Sequence, residues 1–334
     1  MNILFYCPFK FSLSSKNIKS LGGIESLNIE LTKYLSNSNN KIYLASFCNK
    51  KFKQNNLTNI PITELQDKKF NVKFDKIVSS NDPNIFNYSK NSKNFLWLHN
   101  KLPVEKALRK KKFFSIVRNR ISAIFVSNYL LRKTTNIYNF KQKIVIPNFL
   151  DPSFSNIKLS INKKPYFIWS VQRDRGLEEV IDVWINNINP KYKKFKLFIF
   201  GINKTNLGKY NLKKLTNFNI FYKGRVNKTI LINFYKKSMG MICLGYDETF
   251  CLNAIESYAC GMPIITFGHT ALAEISNRKN SFKLLSYKDI SKRVIQIACM
   301  NSKSRKRVSH YCINFSRKYH LDFIFGKWLK LLNK

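Results

Sequence analysis

The stretch Asp247 to Phe267, DETFCLNAIESYACGMPIITF, decides the fold. The run ahead of it, MGMICLG at 239–245, is short, apolar and closed by Gly245, so it reads as a buried strand entering a loop. Thr249 or Asp247 is placed to cap the following helix, which sets Leu252, Ile255 and Ala259 on one face. Gly261 stands where a left-handed C-terminal cap is wanted, and Pro263 ends the helix before the apolar strand 263–267. Glu248 then lies at the carboxyl end of a strand, and Glu256 on the second turn of the helix. Ligands of open parallel sheets collect at that edge, and a helix start offers free amides to an anion. Amides for phosphate beside carboxylates for hydroxyls suit a nucleotide sugar. An ordinary surface helix with two solvated acids would show the same spacing.

The full string resembles a family pattern. ETFCLNAIESYACGMPII is similar to the signature of the family 4 glycosyltransferases, retaining enzymes of the GT-B fold: an acid, a Phe-Gly-Leu-like step, a second acid, then Ala-Cys-Gly-x-Pro. The resemblance implies an α/β chain of two Rossmann-like domains with parallel sheets facing across a cleft, and a C-terminal helix crossing back to the first domain. One departure is plain. Cys251 stands where relatives keep Gly, putting a side chain where backbone should approach phosphate.

Length and composition agree with two domains. A chain of 334 residues, 44% hydrophobic, exceeds what one core organises, and domains of about 150 residues are expected. No apolar run nears the ~18 residues of a membrane helix. ILFYCPF at 3–9 lacks a charged segment before it and a small-residue cleavage site after it, so it reads as a first strand, not a signal sequence, and the chain is expected in the cytoplasm. Seven scattered cysteines without a Cys-x-x-Cys pair argue for reduced thiols and against zinc.

The charge is extreme, with 59 Lys and Arg against 18 Asp and Glu, net +41. Such an excess favours anionic partners. An A- and T-rich genome would also supply lysines, but not a scarcity of acids, and both explanations stand. KALRKKKFFSIVRNR at 106–120 interleaves cations with Phe113, Phe114, Ile116 and Val117. As one helix it could lie on an anionic membrane surface, each basic residue contributing about 1 kcal/mol, or be a solvated helix with a buried stripe.

Taken in order, the first half offers strands at 3–9, 42–47, 75–80, 95–99 and 123–128, with helical or polar segments between them, which implies a covered parallel sheet. Gly22 and Gly23 precede a helix carrying Ile24, Leu27, Leu31 and Leu35 on one face; a plain tight turn would look the same. The resemblance makes them the glycine loop that approaches donor phosphate and acceptor. His99 ends a strand, where relatives place a His against the transferred sugar, and Ser127 matches a Val-Ser turn. KIVIPNFLDPSF at 143–154 resembles the domain junction, with Phe149 where Gly is usual, and the polar run after it reads as linker.

The second half restarts at YFIWS, 166–170, followed by Arg173, Arg175 and Gly176 opening a helix. Cations at a helix start are disfavoured unless an anion binds there, and guanidinium fits phosphate oxygens as a fork. Arg175 matches the Lys of relatives; Arg173 is the substitute for their Arg. Further strands fall at 196–201 and 219–224, and a helix at 227–238. Gly208-Lys209 is rejected as a phosphate loop, its spacing being wrong and Tyr210 replacing Ser or Thr. GHTALAEI at 268–275 carries Gly268, His269 and Glu274, where the resemblance implies a Gly-rich turn and a Glu near the nucleotide. From Val308 to Leu332, apolar residues at helical spacing form the tail.

The expected partition is 1–150 for acceptor binding, 165–310 for the nucleotide sugar, and 311–334 as the returning helix. The resemblance implies a retaining hexosyltransferase that moves a sugar from a UDP- or GDP-linked donor to a glycan or lipid-linked acceptor, as in envelope polysaccharide or lipopolysaccharide synthesis. Catalytic residues would be His99, Glu248 and Arg175. Donor binding would fall to Gly22, Gly23, Arg173, Arg175, Thr249, Phe250, Cys251, Leu252 and Glu256. No cofactor or metal is expected, since no Asp-x-Asp is present, and no nucleic acid partner, since no recognition helix, zinc finger or aromatic ribonucleoprotein pattern is found. The alternatives are a sugar-nucleotide epimerase of the same fold and a basic nucleic-acid-binding protein.

Overall fold

A computed structural model describes residues 1–14, 21–67, 72–88, 91–160, 162–203 and 210–333; Gly208 and Lys209 lie outside the described residues. The chain divides into two compact units, Met1–Asp151 with Leu321–Lys334, and Pro152–His320.

In the first unit the elements are β1 (Asn2–Tyr6), α1 (Gly23–Leu35), β2 (Lys41–Ser46), β3 (Phe52–Gln54), β4 (Leu57–Pro61), β5 (Lys76–Ser80), β6 (Lys93–Leu98), α2 (Val104–Arg109), α3 (Lys112–Arg118), β7 (Ser122–Phe125), α4 (Asn128–Lys133) and β8 (Gln142–Val145). The strands form one sheet in the order β3-β4-β2-β1-β5-β6-β7-β8. All its pairings are parallel except β3 with β4. Buried apolar residues such as Leu4, Val78, Leu96 and Ile124 give these strands the continuous hydrophobic character of a sheet covered on both faces. The antiparallel edge pair is absent from the sequence reading because β3 is three residues long and mostly exposed, with no alternation to detect.

Residues 106–120 are not one helix. Lys111 adopts φ 54, a left-handed conformation that separates α2 from α3 and interrupts any continuous amphipathic stripe. Ala107, Ser115 and Ile116 are buried, while Leu108, Phe114 and Val117 are exposed.

The second unit contains β9 (Tyr166–Trp169), α5 (Leu177–Val183), β10 (Lys196–Phe200), α6 (Leu212–Thr216), β11 (Ile220–Gly224), α7 (Lys228–Lys237), β12 (Gly240–Ile242), α8 (Leu252–Ala259), β13 (Ile264–Thr266), α9 (Leu272–Ile275), β14 (Ser281–Lys283), α10 (Asp289–Ala298) and α11 (Ser302–Ser316). Its sheet is parallel throughout, in the order β11-β10-β9-β12-β13-β14. Numbered within the unit this is 3-2-1-4-5-6, the doubly wound order whose direction reverses between the first and fourth strands.

The tail, expected as a single returning helix from 311, is two helices. α11 runs on to Ser316, a 3-10 turn spans Arg317–Tyr319, and only α12 (Leu321–Leu332) joins the first unit. Trp328 of α12 is fully buried, edge-on to Trp97 at 4.7 Å and 6.3 Å from Phe5. Lys76 donates to the carbonyl of Leu332, satisfying one of the free C-terminal carbonyls of the helix.

Candidate functional site

The point where strand order reverses in the second sheet lies between β9 and β12. The chain leaving β9 carries Arg173 and Arg175; the chain leaving β12 carries Glu248. Topology therefore brings together two segments more than seventy residues apart, at the edge where open α/β sheets bind ligands.

Arg175 does not open an α-helix as the sequence suggested. Residues Arg173–Arg175 form a 3-10 turn, and α5 begins only after Gly176 at φ 101. A Cβ on Gly176 would lie 2.6 Å from Leu244 Cδ1, so glycine is required both for conformation and for close approach to the strand end. This turn directs the Arg175 side chain across to the loop after β12, where it donates to the carbonyl of Tyr246. Its Nε lies 3.8 Å from Glu248 Oε1 and 3.8 Å from Asp174 Oδ1, and its Nη1 is 3.8 Å from Asp247 Oδ2. Nε is buried and makes no hydrogen bond among the described residues. A guanidinium surrounded at ion-pair distance, yet with an unmade hydrogen bond, is prepared for an incoming oxygen. Arg173 by contrast is engaged with Glu178 on the first turn of α5.

Glu248 is largely buried, its side chain 16% exposed. Burial raises its pKa, and Arg175 opposes the shift. Its backbone carbonyl accepts from Ala271 N at 3.2 Å, which ties the acid-bearing loop to the turn before α9.

The helix after this loop starts later than the sequence suggested. Neither Thr249 nor Asp247 caps it; Cys251 takes that position at φ 70, the left-handed conformation that ordinarily favours Gly. The Cys251 thiol does not project toward the helix start. It is buried, with Sγ 3.4 Å from Cys243 Sγ at the end of β12. The residue keeps the backbone turn of a glycine and stores its side chain in the core, which resolves the steric conflict the sequence raised, at the cost of a strained φ. Phe250 is likewise buried, edge-on to Tyr319 at 5.7 Å, so only its backbone faces the loop. Leu252 and Asn253 occupy the first turn of α8, and the Asn253 amide donates to the carbonyl of Ser170, joining α8 to the end of β9. Glu256 is partly buried, and its charge raises the pKa of the buried Tyr235 phenol, with burial the larger cause. Gly261, at φ 68, closes the helix in the left-handed conformation its position demands.

In the first unit, Gly22 is the N-cap of α1 at φ −70, and Gly23 begins the helix. A Cβ on Gly22 would meet the Glu25 carboxylate at 2.6 Å, since that side chain folds back over the cap. His99 follows β6, is 4% exposed, and packs on Trp97 with ring centroids 4.4 Å apart. Burial lowers its pKa to about 3, so the imidazole is neutral at physiological pH. Asn81, after β5, accepts from His99 N at 2.8 Å and holds that turn.

Tyr246, Asn253 and Asn81 went unnoticed in the sequence. The Tyr246 contribution is a backbone carbonyl, which no side-chain pattern reveals. Asn253 carried a signal, a polar amide on the first turn of an otherwise apolar helix.

An open parallel sheet wound 3-2-1-4-5-6, with cation and carboxylate at its switch point, defines a Rossmann-like ligand-binding unit. Residues 154–314, a little under half of the chain, match the family described as glycosyl transferases group 1. The second unit is a group 1 glycosyltransferase domain, and the chain has the GT-B fold. Sucrose-phosphate synthase from Thermosynechococcus elongatus is similar in structure, with TM-score 0.75 at 12% identity over 99% of this chain and 98% of that one. WaaG, a glycosyltransferase involved in lipopolysaccharide biosynthesis, gives TM-score 0.72 at 10% identity over 98% and 99%. A structure described as trehalose-6-phosphate from E. coli bound with UDP-2-fluoro glucose gives 0.70 at 10% identity over 100% and 99%. No curated protein matches the chain in sequence.

Proposed function

We propose that the chain transfers a hexose from a UDP- or GDP-linked donor to a glycan or lipid-linked acceptor, with retention of anomeric configuration. The observation that carries this is Arg175, held by Tyr246 at the switch point with a buried Nε that makes no hydrogen bond. Its fork would bind the diphosphate and stabilise the charge that grows as the nucleotide departs. The backbone of Thr249, Phe250, Cys251 and Leu252 would supply amides to the same phosphates, and Glu256 would bind ribose hydroxyls. Glu248 would bind sugar hydroxyls, accepting hydrogen bonds from them. Arg173, engaged with Glu178, would have to exchange partners to reach a phosphate.

His99 and the loop of Gly22 and Gly23, in the first unit, keep the roles the family resemblance implies. A neutral His99 would hydrogen-bond the sugar rather than act as a cation. No positioned nucleophile is required of a retaining enzyme without a covalent intermediate, and metal-independent transfer remains our expectation. A neighbouring structure that holds a UDP sugar analogue supports the donor class, and WaaG supports an envelope glycan or lipopolysaccharide as the acceptor class.

Incubating the chain with a panel of UDP and GDP sugars and following nucleotide release tests the donor. Proton spectra of any product report its anomeric configuration. An isomerised donor without a lengthened acceptor would replace transfer by epimerisation, and full activity in both Glu248→Ala and Arg175→Ala would sink the site.

Among the described residues no helix is long and apolar enough to cross a membrane. Exposed Phe114 and Val117, beside exposed Lys110, Lys111 and Arg118, support attachment to an anionic membrane face. Protein that stays on membranes through a high-salt wash, or never binds them, removes electrostatic attachment.

A further inference from the structure

A second cationic cleft lies in the same unit, at the opposite edge of the sheet. Its volume is roughly 250 Å³, and it is lined by the segment before β9, by Met239 at the amino end of β12, and by the first turns of α11. The donor residues lie past the carboxyl end of β12, so the strand separates the two places. Lys163, Arg305 and Lys306 line the cleft with the hydroxyls of Ser160, Ser302 and Ser309, and no carboxylate is among its lining residues.

Two of these cations are held inward. Arg305 Nη2 donates to the carbonyls of Ala298 at 3.1 Å and Met300 at 3.0 Å, which fixes the guanidinium plane. Its Nη1 is buried and has no hydrogen-bond partner among the described residues. Lys163 donates one hydrogen to the carbonyl of Cys260 at 3.3 Å. Burial pulls its pKa down to about 8; Cys260 and Cys312 oppose that shift, and the nearby charges of Arg305 and Lys236 add smaller pulls in the same direction as burial. Partly buried cations facing one another without a counter-charge are unfavourable, and an anion reverses the sign of that interaction.

We infer that this cleft binds a small phosphate-type oxyanion, gripped by Nη1 of Arg305, by Lys163 and Lys306, and by the hydroxyls of Ser160 and Ser302. Drug-sized ligands occupy pockets of about 300–1,000 Å³, so the space suits an oxyanion or compact phosphomonoester, not a nucleotide. Guanidinium, ammonium and hydroxyl together are the donor set that matches tetrahedral phosphate. The occupant would sit behind the turn that closes α8, whose carbonyls at Cys260 and Gly261 are held by Lys163 and Ser309. The site stands independently of the proposed donor chemistry.

Calorimetric titration of inorganic phosphate into the Arg175→Ala chain, at constant ionic strength with chloride as balance, isolates this cleft from the donor site. A saturable single site is expected, weakened about tenfold or more in Lys163→Met and Arg305→Gln. Lys306→Gln changes an exposed position that should not disturb folding, and weakens binding several-fold. Methyl phosphate in place of phosphate distinguishes a site for a phosphomonoester from one for the free ion, and saturable binding of either supports the cleft. Absence of saturable binding in the Arg175→Ala chain, or binding untouched by both Lys163→Met and Lys306→Gln, overturns it while leaving the donor reading standing.

Discussion

Arg175 and Glu248 meet at 3.8 Å, Nε to Oε1, across the ends of two adjacent strands, yet burial rather than the arginine dominates the carboxyl group, whose pKa is raised. The pair is therefore not a stabilising ion pair in the ordinary sense. The arginine hydrogen-bonds to a backbone carbonyl, and burial of the acid beside it favours the neutral form.

Replacing Arg175 discriminates charge from fork geometry. Arg175→Ala should lower donor turnover by about 10²-fold, the scale of losing one preorganised charge stabiliser. Arg175→Lys should retain most activity, because the family pattern carries Lys at this place. Initial rates of nucleotide release from the best donor measure both, and an Ala variant that keeps the full rate argues against the phosphate role.

Glu248→Gln should abolish or strongly reduce sugar transfer without loss of stability. A buried carboxyl with a raised pKa binds its proton more tightly folded than unfolded, so its contribution is fully present below the unfolded pKa and is lost as pH rises through the folded value. At neutral pH the charge is a burden that Gln removes. Urea unfolding at pH 7 should give a midpoint no lower than that of the parent chain.

Gly176→Ala should destabilise by about 1–3 kcal/mol, combining left-handed strain with a clash against Leu244. Gly22→Ala is the control: its neighbour is the movable end of Glu25, so the melting temperature should barely change. Equal effects of the two substitutions would contradict the geometry.

Trp328→Ala should cost about 3–5 kcal/mol, because the side chain is fully buried against Trp97 and Phe5. Trp328→Phe should cost much less, since it keeps an aromatic ring and removes an indole N–H that has no hydrogen-bond partner. Denaturant melts of the full chain give both values.

Lys163 supplies a pH signature. Its pKa is about 8 in the folded chain against an ordinary 10.5, so between those values the unfolded chain holds more protons and stability rises with pH. Burial is the main cause of the lowering; Cys260 and Cys312 oppose it, and Arg305 and Lys236 add smaller downward pulls. The difference in unfolding free energy between the parent and Lys163→Met, followed from pH 7 to 10.5, should show that rise only in the parent. Phosphate should diminish it by raising the folded pKa.

What the sequence determined alone was local and periodic. Apolar runs such as KLFIF located buried strands, Gly261 and Pro263 located the end of α8, and the string from Glu248 to Pro263 identified the family pattern, because backbone conformation and burial there depend on neighbouring residues in the chain. The short edge strand β3 and the break at Lys111 escaped, the first lacking a periodic signal and the second being a single φ value on an ordinary lysine. Tertiary structure alone decided the rest. It brought Arg175 to the Tyr246 carbonyl and Glu248, turned the Cys251 thiol inward onto Cys243, and left Arg305 Nη1 without a partner among the described residues in a cleft behind the turn that closes α8. Such facts depend on which strands become neighbours and which side chains find partners across them. That is settled when the sheet closes in the order β11-β10-β9-β12-β13-β14, and no spacing along the chain records it.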